Sequence, residues 1–371
     1  MRRVPRVISR GRTLLARTVL AVRHRLSGAK ILGYIGWVGH DNLGDEAMFL
    51  AIQSLLAPCV LVPFLGSAQE RLLGMFGLSG KRFFDAFVVG GGTLVNPGFW
   101  PMVDAAERMG LPMFMFGTGV GSSGLGQPEQ VPLTPWRTLA SRFAAVGVRG
   151  PLSHQALRAL GFQSVEVVGD PALSLAARSG GSSRGRPRLI VSLAGSLPEA
   201  LESAMSRLIA SFHNSGGEVV GAALGEGDEE RLALQFASAG LPDLPVVTVR
   251  SDPHAYIRLV QGADCVVAGR LHAGILACCA GVPPILLGHR AKYNDFAASM
   301  GLEDCLVPVS DEGGALLERV WARFRHSDGS FREELTARAM HWQKVQRDYA
   351  RGILRRLSVA EGANEKTRAV S

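Results

Sequence analysis

The chain has 371 residues, 47% hydrophobic and 19% charged, a balance that supplies cores for two domains of ordinary size and excludes a disordered polypeptide. Its net charge of +8 is local: residues 1–30 carry eight arginines and Lys30 against no acidic residue, so the remainder is close to neutral and lacks the basic stripe of a nucleic-acid binder. Five cysteines without a CxxC pair or His/Cys ligand spacing argue against a metal or redox centre and read as reduced, mostly buried thiols.

In residues 1–29, Val4, Ile8, Leu15, Val19, Val22 and Leu26 recur at helical spacing among arginines. This pattern fits a basic amphipathic segment at an anionic membrane surface, an organellar transit segment or a solvated arginine-rich tail. It is too charged to span a bilayer.

From residue 30 onward, short apolar runs bounded by glycine alternate with amphipathic stretches, as in a mostly parallel sheet faced by helices. Strands are expected near 30–35, 59–64, 85–89, 112–117, 144–148 and 164–168, with helices near 45–56, 67–76, 100–109, 135–143 and 150–160. The Gly/Ser/Arg-rich stretch 177–188 reads as an interdomain linker. Strands then return near 188–193, 217–223, 245–248, 264–268 and 284–287, and residues 311–356 read as helical with a break near His326–Gly329. The fold class is therefore α/β: two Rossmann-like domains, 30–176 and 189–310, with a central cleft, followed by C-terminal helices and a tail over 311–371. Ligands in open α/β sheets bind beyond the carboxyl ends of the strands, so the loops after the strands are where chemistry is expected.

The first such loop carries Asn42, Asp45 and Glu46. Carboxylates there repel phosphate and suit sugar hydroxyls, so these three are the candidate acceptor-binding residues; Asp45 is also placed to cap the following helix. Gly90, Gly91 and Gly92 end the third strand and are expected to turn backbone N–H groups toward an anionic ligand. No Walker A or GxGxxG motif accompanies them. The next strand also ends in glycines, Gly117-Thr118-Gly119-Val120-Gly121. Arg149 follows the fifth strand, where a guanidinium at the cleft edge matches carboxylate or phosphate, and Asp170 after the sixth is expected to cap or position the crossover. The sharpest signal is Gly269-Arg270-Leu271-His272 at a strand-to-helix turn. The helix N-terminus and Arg270 favour an anion, and His272 is the side chain suited to moving a proton near neutral pH.

Five segments taken together resemble the polysaccharide pyruvyl transferase family over roughly residues 30–310: GWVGHDNLGDE at 36–46, GGGTL at 90–94, VRGPLSHQAL at 148–157, VGDPAL at 168–173 and GRLHAGILACCAGVPPILL at 269–287. Lys292 and Phe296 also occupy familiar positions. The resemblance implies a GT-B-like fold, phosphoenolpyruvate as donor, no required metal or cofactor, the Arg270–His272 turn as catalytic centre and Arg149 as a donor-binding residue. One departure is Gly150, where family members usually carry an acidic residue. The expected reaction moves the enolpyruvyl unit of phosphoenolpyruvate onto a sugar diol of a cell-surface polysaccharide or its lipid-linked precursor. His272 would be the acid, Arg270 and Arg149 the cations, and Gly90–Gly92 the backbone donors. A cytoplasmic location is expected, with peripheral contact at the inner membrane face through residues 1–28. Two rival readings are a GT-B glycosyltransferase using a nucleotide-sugar, which the same fold would serve, and a non-catalytic glycan-precursor binder.

Overall fold

Residues 25, 28–66, 69, 73–74, 79–121, 133–176, 185–325 and 329–368 are described by a computed structural model. The expected N-terminal amphipathic segment, most of the linker at 177–188 and most of the helix at 67–76 lie outside the described residues.

Strands β1 (Ile31–Ile35), β2 (Val60–Pro63), β3 (Ala86–Val89), β4 (Gly92–Val95), β5 (Met113–Val120), β6 (Phe143–Val148) and β7 (Val165–Val167) form the first sheet. Its order is β2-β1-β3-β5-β6-β7, with β4 paired to the far end of β5, and every pairing is parallel. The second sheet contains β8 (Arg188–Ser192), β9 (Glu218–Ala223), β10 (Val246–Thr248), β11 (Cys265–Ala268), β12 (Pro284–Gly288) and β13 (Leu306–Pro308). It is also parallel, in the order β10-β9-β8-β11-β12-β13. The strand order reverses between β1 and β3 in one sheet and between β8 and β11 in the other. Those switch points open crevices at the carboxyl ends of the strands. Central strands such as β1 and β11 are buried along their whole length, because helices cover both faces of a parallel sheet.

The helices that frame the cleft are α1 (Leu43–Leu55), α2 (Trp100–Glu107), α3 (Pro151–Ala159), α4 (Glu199–Asn214), α5 (Asp228–Ser238), α6 (Pro253–Val260), α7 (Leu271–Cys279) and α8 (Ala291–Met300). A 3-10 turn at Pro171–Leu175 ends the first domain, and α9 (Gly313–Arg325) and α10 (Ser330–Arg368) follow the second. No helix among the described residues is long and apolar enough to cross a membrane.

The expected helix at 135–143 is only a short one, Thr134–Thr138. Tight turns at Ala140 and Arg142 end it before Phe143 enters the sheet. The glycines at 117 and 119 lie inside β5 rather than in a cleft loop. The five cysteines are buried and none is in a disulfide.

The lobes share a core. Leu43 and Met48 of α1 and Leu173 pack in one cluster with Leu224, Tyr256, Leu271 and Ile275 of the second domain, and Leu43 N donates to Leu224 O at 3.1 Å. Full burial of one leucine contributes about 1.5–3 kcal/mol, so Leu43 alone is a substantial interdomain plug. Helix α10 ties the lobes a second time. Near its start, Arg332 donates to the carbonyls of Ala263 and Asp264 in the second domain. Further along, Gln346 donates to the carbonyls of Val168 and Asp170, and Tyr349 to that of Met115, all in the first domain.

Candidate active site

Strand β11 delivers the chain into Gly269, whose N–H donates to Ser192 O at 2.6 Å. Arg270 follows in extended conformation as the residue preceding α7. Its guanidinium is clamped by Asp228: Nε and Nη2 donate to the two carboxylate oxygens at 2.6 and 2.7 Å. Asp228 is buried and also accepts the N–H groups of Leu224 and Gly225. A β-carbon at Gly225 would lie 2.3 Å from Arg270 Nη2, so glycine is required for the clamp to close. Arg270 remains 26% exposed toward the cleft. It is a cation locked in one orientation, partly offset by its own counter-ion.

His272 belongs to the second domain, but its neighbours come from the first. A β-carbon at Gly44 would sit 2.0 Å from Nδ1, so the imidazole lies directly on the start of α1. Nε2 faces Asp170 Oδ2 at 3.6 Å; neither atom has a hydrogen-bond partner among the described residues. Asp170 caps the 3-10 turn through Oδ1, which accepts Ala172 N–H at 3.1 Å, as expected from sequence. Burial opposes its charge, yet His272, Arg149 and the Ala172 N–H together hold the carboxyl below the usual carboxylate range. The His272–Asp170 pair therefore exists only where both domains meet.

A cavity of about 210 Å³ opens beside this pair, lined by Asn42, Gly44, Arg270, His272, His289, Arg290, Lys292 and Tyr293. Tyr293 Oη donates to Gly269 O at 2.7 Å and fixes α8 against the turn. Burial, then the cations Arg149 and Arg290, push the Lys292 amine down to about 8, with Asp45 opposing. Burial pushes Asp45 up to about 6, with His272 and Lys292 opposing. Burial and the adjacent Lys292 and Arg290 lower His289 to about 4, so that imidazole is neutral at physiological pH. The cavity thus combines three cations, a protonatable imidazole and a helix N-terminus.

Several expectations about these residues are corrected. The helix cap is Asn42, not Asp45: Asn42 Oδ1 accepts Gly44 N–H at 3.2 Å, while Asn42 Nδ2 donates to Asp45 Oδ2 at 2.6 Å. Glu46 turns back to accept Gly39 N–H at 2.6 Å and shapes the loop. Gly90 offers no backbone donor to a ligand, because its N–H donates to Ile35 O at 2.9 Å. Glycine at 90 and 91 is imposed by packing: β-carbons there would meet Tyr34 at 2.2 Å and Met48 at 2.3 Å. Gly92 begins β4 at φ +97°.

Arg149 is not at the open cleft edge. It is 1% exposed and lies beside Gly119, where a β-carbon would meet Nη2 at 2.5 Å. Its Nε and Nη2 have no hydrogen-bond partner among the described residues. Asp295 of α8 approaches Nε at 3.6 Å. The same carboxylate crosses the domain boundary to cap α3, accepting Leu152 N–H, Ser153 N–H and the Ser153 hydroxyl at 2.9, 3.2 and 2.6 Å. Gly150 makes room for it, since a β-carbon there would lie 2.3 Å from Asp295 Oδ1. The glycine after Arg149 therefore does not leave the arginine without an acid. The other domain supplies one.

Sequence reasoning missed Asp228, His289, Arg290 and Asp295. The available signals were the Gly225-Glu226-Gly227 turn before Asp228 and the three-residue spacing from Lys292 to Asp295, which puts both on neighbouring positions of one helix. Among the described residues no group of three or more His, Cys, Asp or Glu is arranged to hold a metal ion.

A family model described as polysaccharide pyruvyl transferase matches residues 42–290, well over half of the chain. No curated protein matches it significantly. Among solved structures, the chain is similar to the UDP-N-acetylglucosamine 2-epimerase of Rickettsia bellii, at TM-score 0.57 and 13% identity over 89% of this chain and 97% of that one. It is also similar to the Neisseria meningitidis UDP-GlcNAc 2-epimerase bound to UDP-GlcNAc, at 0.53 and 9% over 82% and 94%. A third likeness is to the pneumococcal O-GlcNAc transferase GtfA in complex with UDP and GlcNAc, at 0.53 and 10% over 78% and 59%. At such identities these likenesses establish the GT-B-like fold alone.

Proposed function

The chain belongs to the polysaccharide pyruvyl transferase family, and from that premise we propose that it transfers the enolpyruvyl unit of phosphoenolpyruvate to two hydroxyls of a saccharide, releasing phosphate. The observation that carries this reading is the small cavity in which Arg270, Arg290 and Lys292 converge on His272 at a helix N-terminus. A volume of about 210 Å³ lies below the range of about 300–1,000 Å³ usual for drug-sized ligands. It suits a compact donor carrying a carboxylate and a phosphate better than a whole nucleotide-sugar.

Chemically, His272 protonates the methylene carbon of the donor, and positive charge develops at the neighbouring carbon. One saccharide hydroxyl adds there and loses its proton. Phosphate leaves, and the second hydroxyl closes the cyclic ketal. Of the two hydroxyl protons, one balances the new methyl group by way of the imidazole and the other leaves with phosphate. Arg270, Arg290 and Lys292 hold the donor's anionic groups, with Arg149 adding positive charge from beneath. Asp170 Oδ2, 3.6 Å from Nε2, orients the imidazole. Asn42 and Asp45 lie on the first-domain side, where the acceptor enters.

The test is phosphate release from phosphoenolpyruvate by the purified chain across a panel of sugar glycosides and polyprenyl-linked oligosaccharides. Acceptor-dependent release is expected. Silence across the panel, with tight nucleotide diphosphate binding in a parallel thermal shift, would instead favour a nucleotide-sugar glycosyltransferase.

The lowered Lys292 amine gives this reading a pH signature. The ammonium is present below about 8 and lost above it, so kcat/KM for the donor should fall as pH rises through about 8. Lys292→Arg should remove that break, because guanidinium stays charged. Stability of the unliganded protein runs the other way. Between about 8 and the ordinary lysine value, the unfolded chain binds a proton that the native state lacks, so this site adds stability as pH rises. A donor profile flat to pH 10 would show that Lys292 does not hold the donor.

A further inference from the structure

Trp37 lies outside every role assigned above. It is the exposed aromatic of the molecule among the described residues, with 50% of its surface in water. A single residue, Gly36, separates it from the end of β1, in the same loop that brings Asn42 to the cavity. Burying a tryptophan is favourable, so a large indole left in solvent at the mouth of a site needs a reason.

The ring is held rather than loose. It stacks on His40 with centroids 3.8 Å apart and planes 12° apart, and Phe99, from the loop after β4, meets it at 6.2 Å and 76°. The loop backbone is fixed as well. Glu46 accepts Gly39 N–H at 2.6 Å, and Asp41 has φ +50°, the non-glycine residue among those described with a left-handed backbone. Such a conformation costs of order 1–3 kcal/mol and persists where the surroundings impose it, commonly at ligand-binding sites. Structure has been committed here to presenting an aromatic surface at the cleft rim.

We propose that Trp37, backed by His40 and Phe99, is a stacking platform for a pyranose ring of the acceptor saccharide. This rests on the transferase reading above and names the part of the site that receives the sugar. A pyranose has an apolar C–H face and a polar rim. The indole offers the complementary face, and Asn42 at the end of the same loop and Asp45 in the first turn of α1 offer polar groups to hydroxyls. A protein partner is the poorer match, because exposed Asp41 lies four residues on in the same loop and the described residues form no broad apolar patch around Trp37. A platform fixed before binding loses little entropy when the sugar arrives.

The experiment has a kinetic and a binding arm. In the kinetic arm, Trp37→Ala should raise the acceptor KM roughly tenfold, near the upper range of one aromatic contact, while KM for phosphoenolpyruvate stays unchanged. Trp37→Phe should remain within about threefold of the parent, since a ring is retained. In the binding arm, intrinsic fluorescence of the unliganded protein is titrated with acceptor glycosides and, separately, with UDP. A saccharide-induced change that disappears in Trp37→Phe is expected, because this removes one of five tryptophans. An acceptor KM in Trp37→Ala within twofold of an active parent overturns the platform. So does a saccharide response that survives in Trp37→Phe, a Trp37-dependent response to UDP alone, or no response to any saccharide. Failure of the parent to turn over any acceptor counts against the transferase reading, and the fluorescence arm still decides whether Trp37 receives a sugar.

Discussion

On the proposed reading, His272→Ala should lower turnover by about 10²–10⁴-fold, the usual contribution of one general acid or base, while phosphoenolpyruvate should still bind. The cations proposed to hold the donor are anchored independently of the imidazole: Arg270 by Asp228, and Arg290 and Lys292 at the start of α8, which Tyr293 ties to Gly269. Calorimetric titration of the variant with phosphoenolpyruvate separates the two functions. Retained affinity with lost turnover places His272 in proton transfer; a parallel loss of both would make it a donor ligand. Asp170→Asn is the finer probe. It keeps the shape and the cap on Ala172 N–H but removes the anion 3.6 Å from Nε2. Turnover should fall, but less than in His272→Ala, because the imidazole stays in place and loses only the carboxylate that faces Nε2. Turnover equal to the parent's would make Asp170 a structural cap and nothing more.

Much of this arrangement was legible in the sequence, and the parts that were not share a physical cause. Parallel strands buried on both faces read as apolar runs, so β1, β3, β8 and β11 emerged from residue order alone. The Arg270–His272 turn was legible because its strand, glycine, cation and imidazole occupy one contiguous segment. Asp228 was not, because its carboxylate arrives from a different loop 42 residues away. Nor was the burial of Arg149, which depends on an acid across the domain boundary. Glycines misled in a definite way. A glycine run at a strand end is compatible with a ligand or with a large neighbour, and at Gly90 and Gly91 the neighbours are Tyr34 and Met48. The cap of α1 was assigned one turn too late because Asn42 and Asp45 are both good capping types, and only the backbone distinguishes them: Asn42 is extended and precedes the helix.

Asp295→Ala should be the most destabilising single change at the domain boundary. Arg149 and Asp295 are both almost wholly buried, and removing one partner of a buried ion pair typically costs about 3–5 kcal/mol. The variant also strips the first turn of α3 of the acceptor for Leu152 N–H, Ser153 N–H and the Ser153 hydroxyl. A lowered thermal midpoint and a raised KM for phosphoenolpyruvate are expected together, since Arg149 loses the group that orients it. Relocating the acid then separates this from a general packing defect. Gly150 sits at φ −157° in extended backbone, which any residue adopts, but a β-carbon there would lie 2.3 Å from both the backbone carbonyl oxygen and Oδ1 of Asp295. In the parent, Gly150→Asp should therefore destabilise, by crowding and by setting a second carboxylate against the first. In the Asp295→Ala background the same substitution should destabilise less, because the carboxylate has gone and an anion returns beside Arg149 and the start of α3, while the backbone carbonyl of residue 295 still crowds the new β-carbon. A double-mutant cycle on denaturant midpoints reads this difference as a coupling term well outside the scatter of about 0.3–0.5 kcal/mol for independent sites. Equal destabilisation by Gly150→Asp in both backgrounds would show that the two positions do not share one acid site, and that Arg149 takes its orientation from elsewhere.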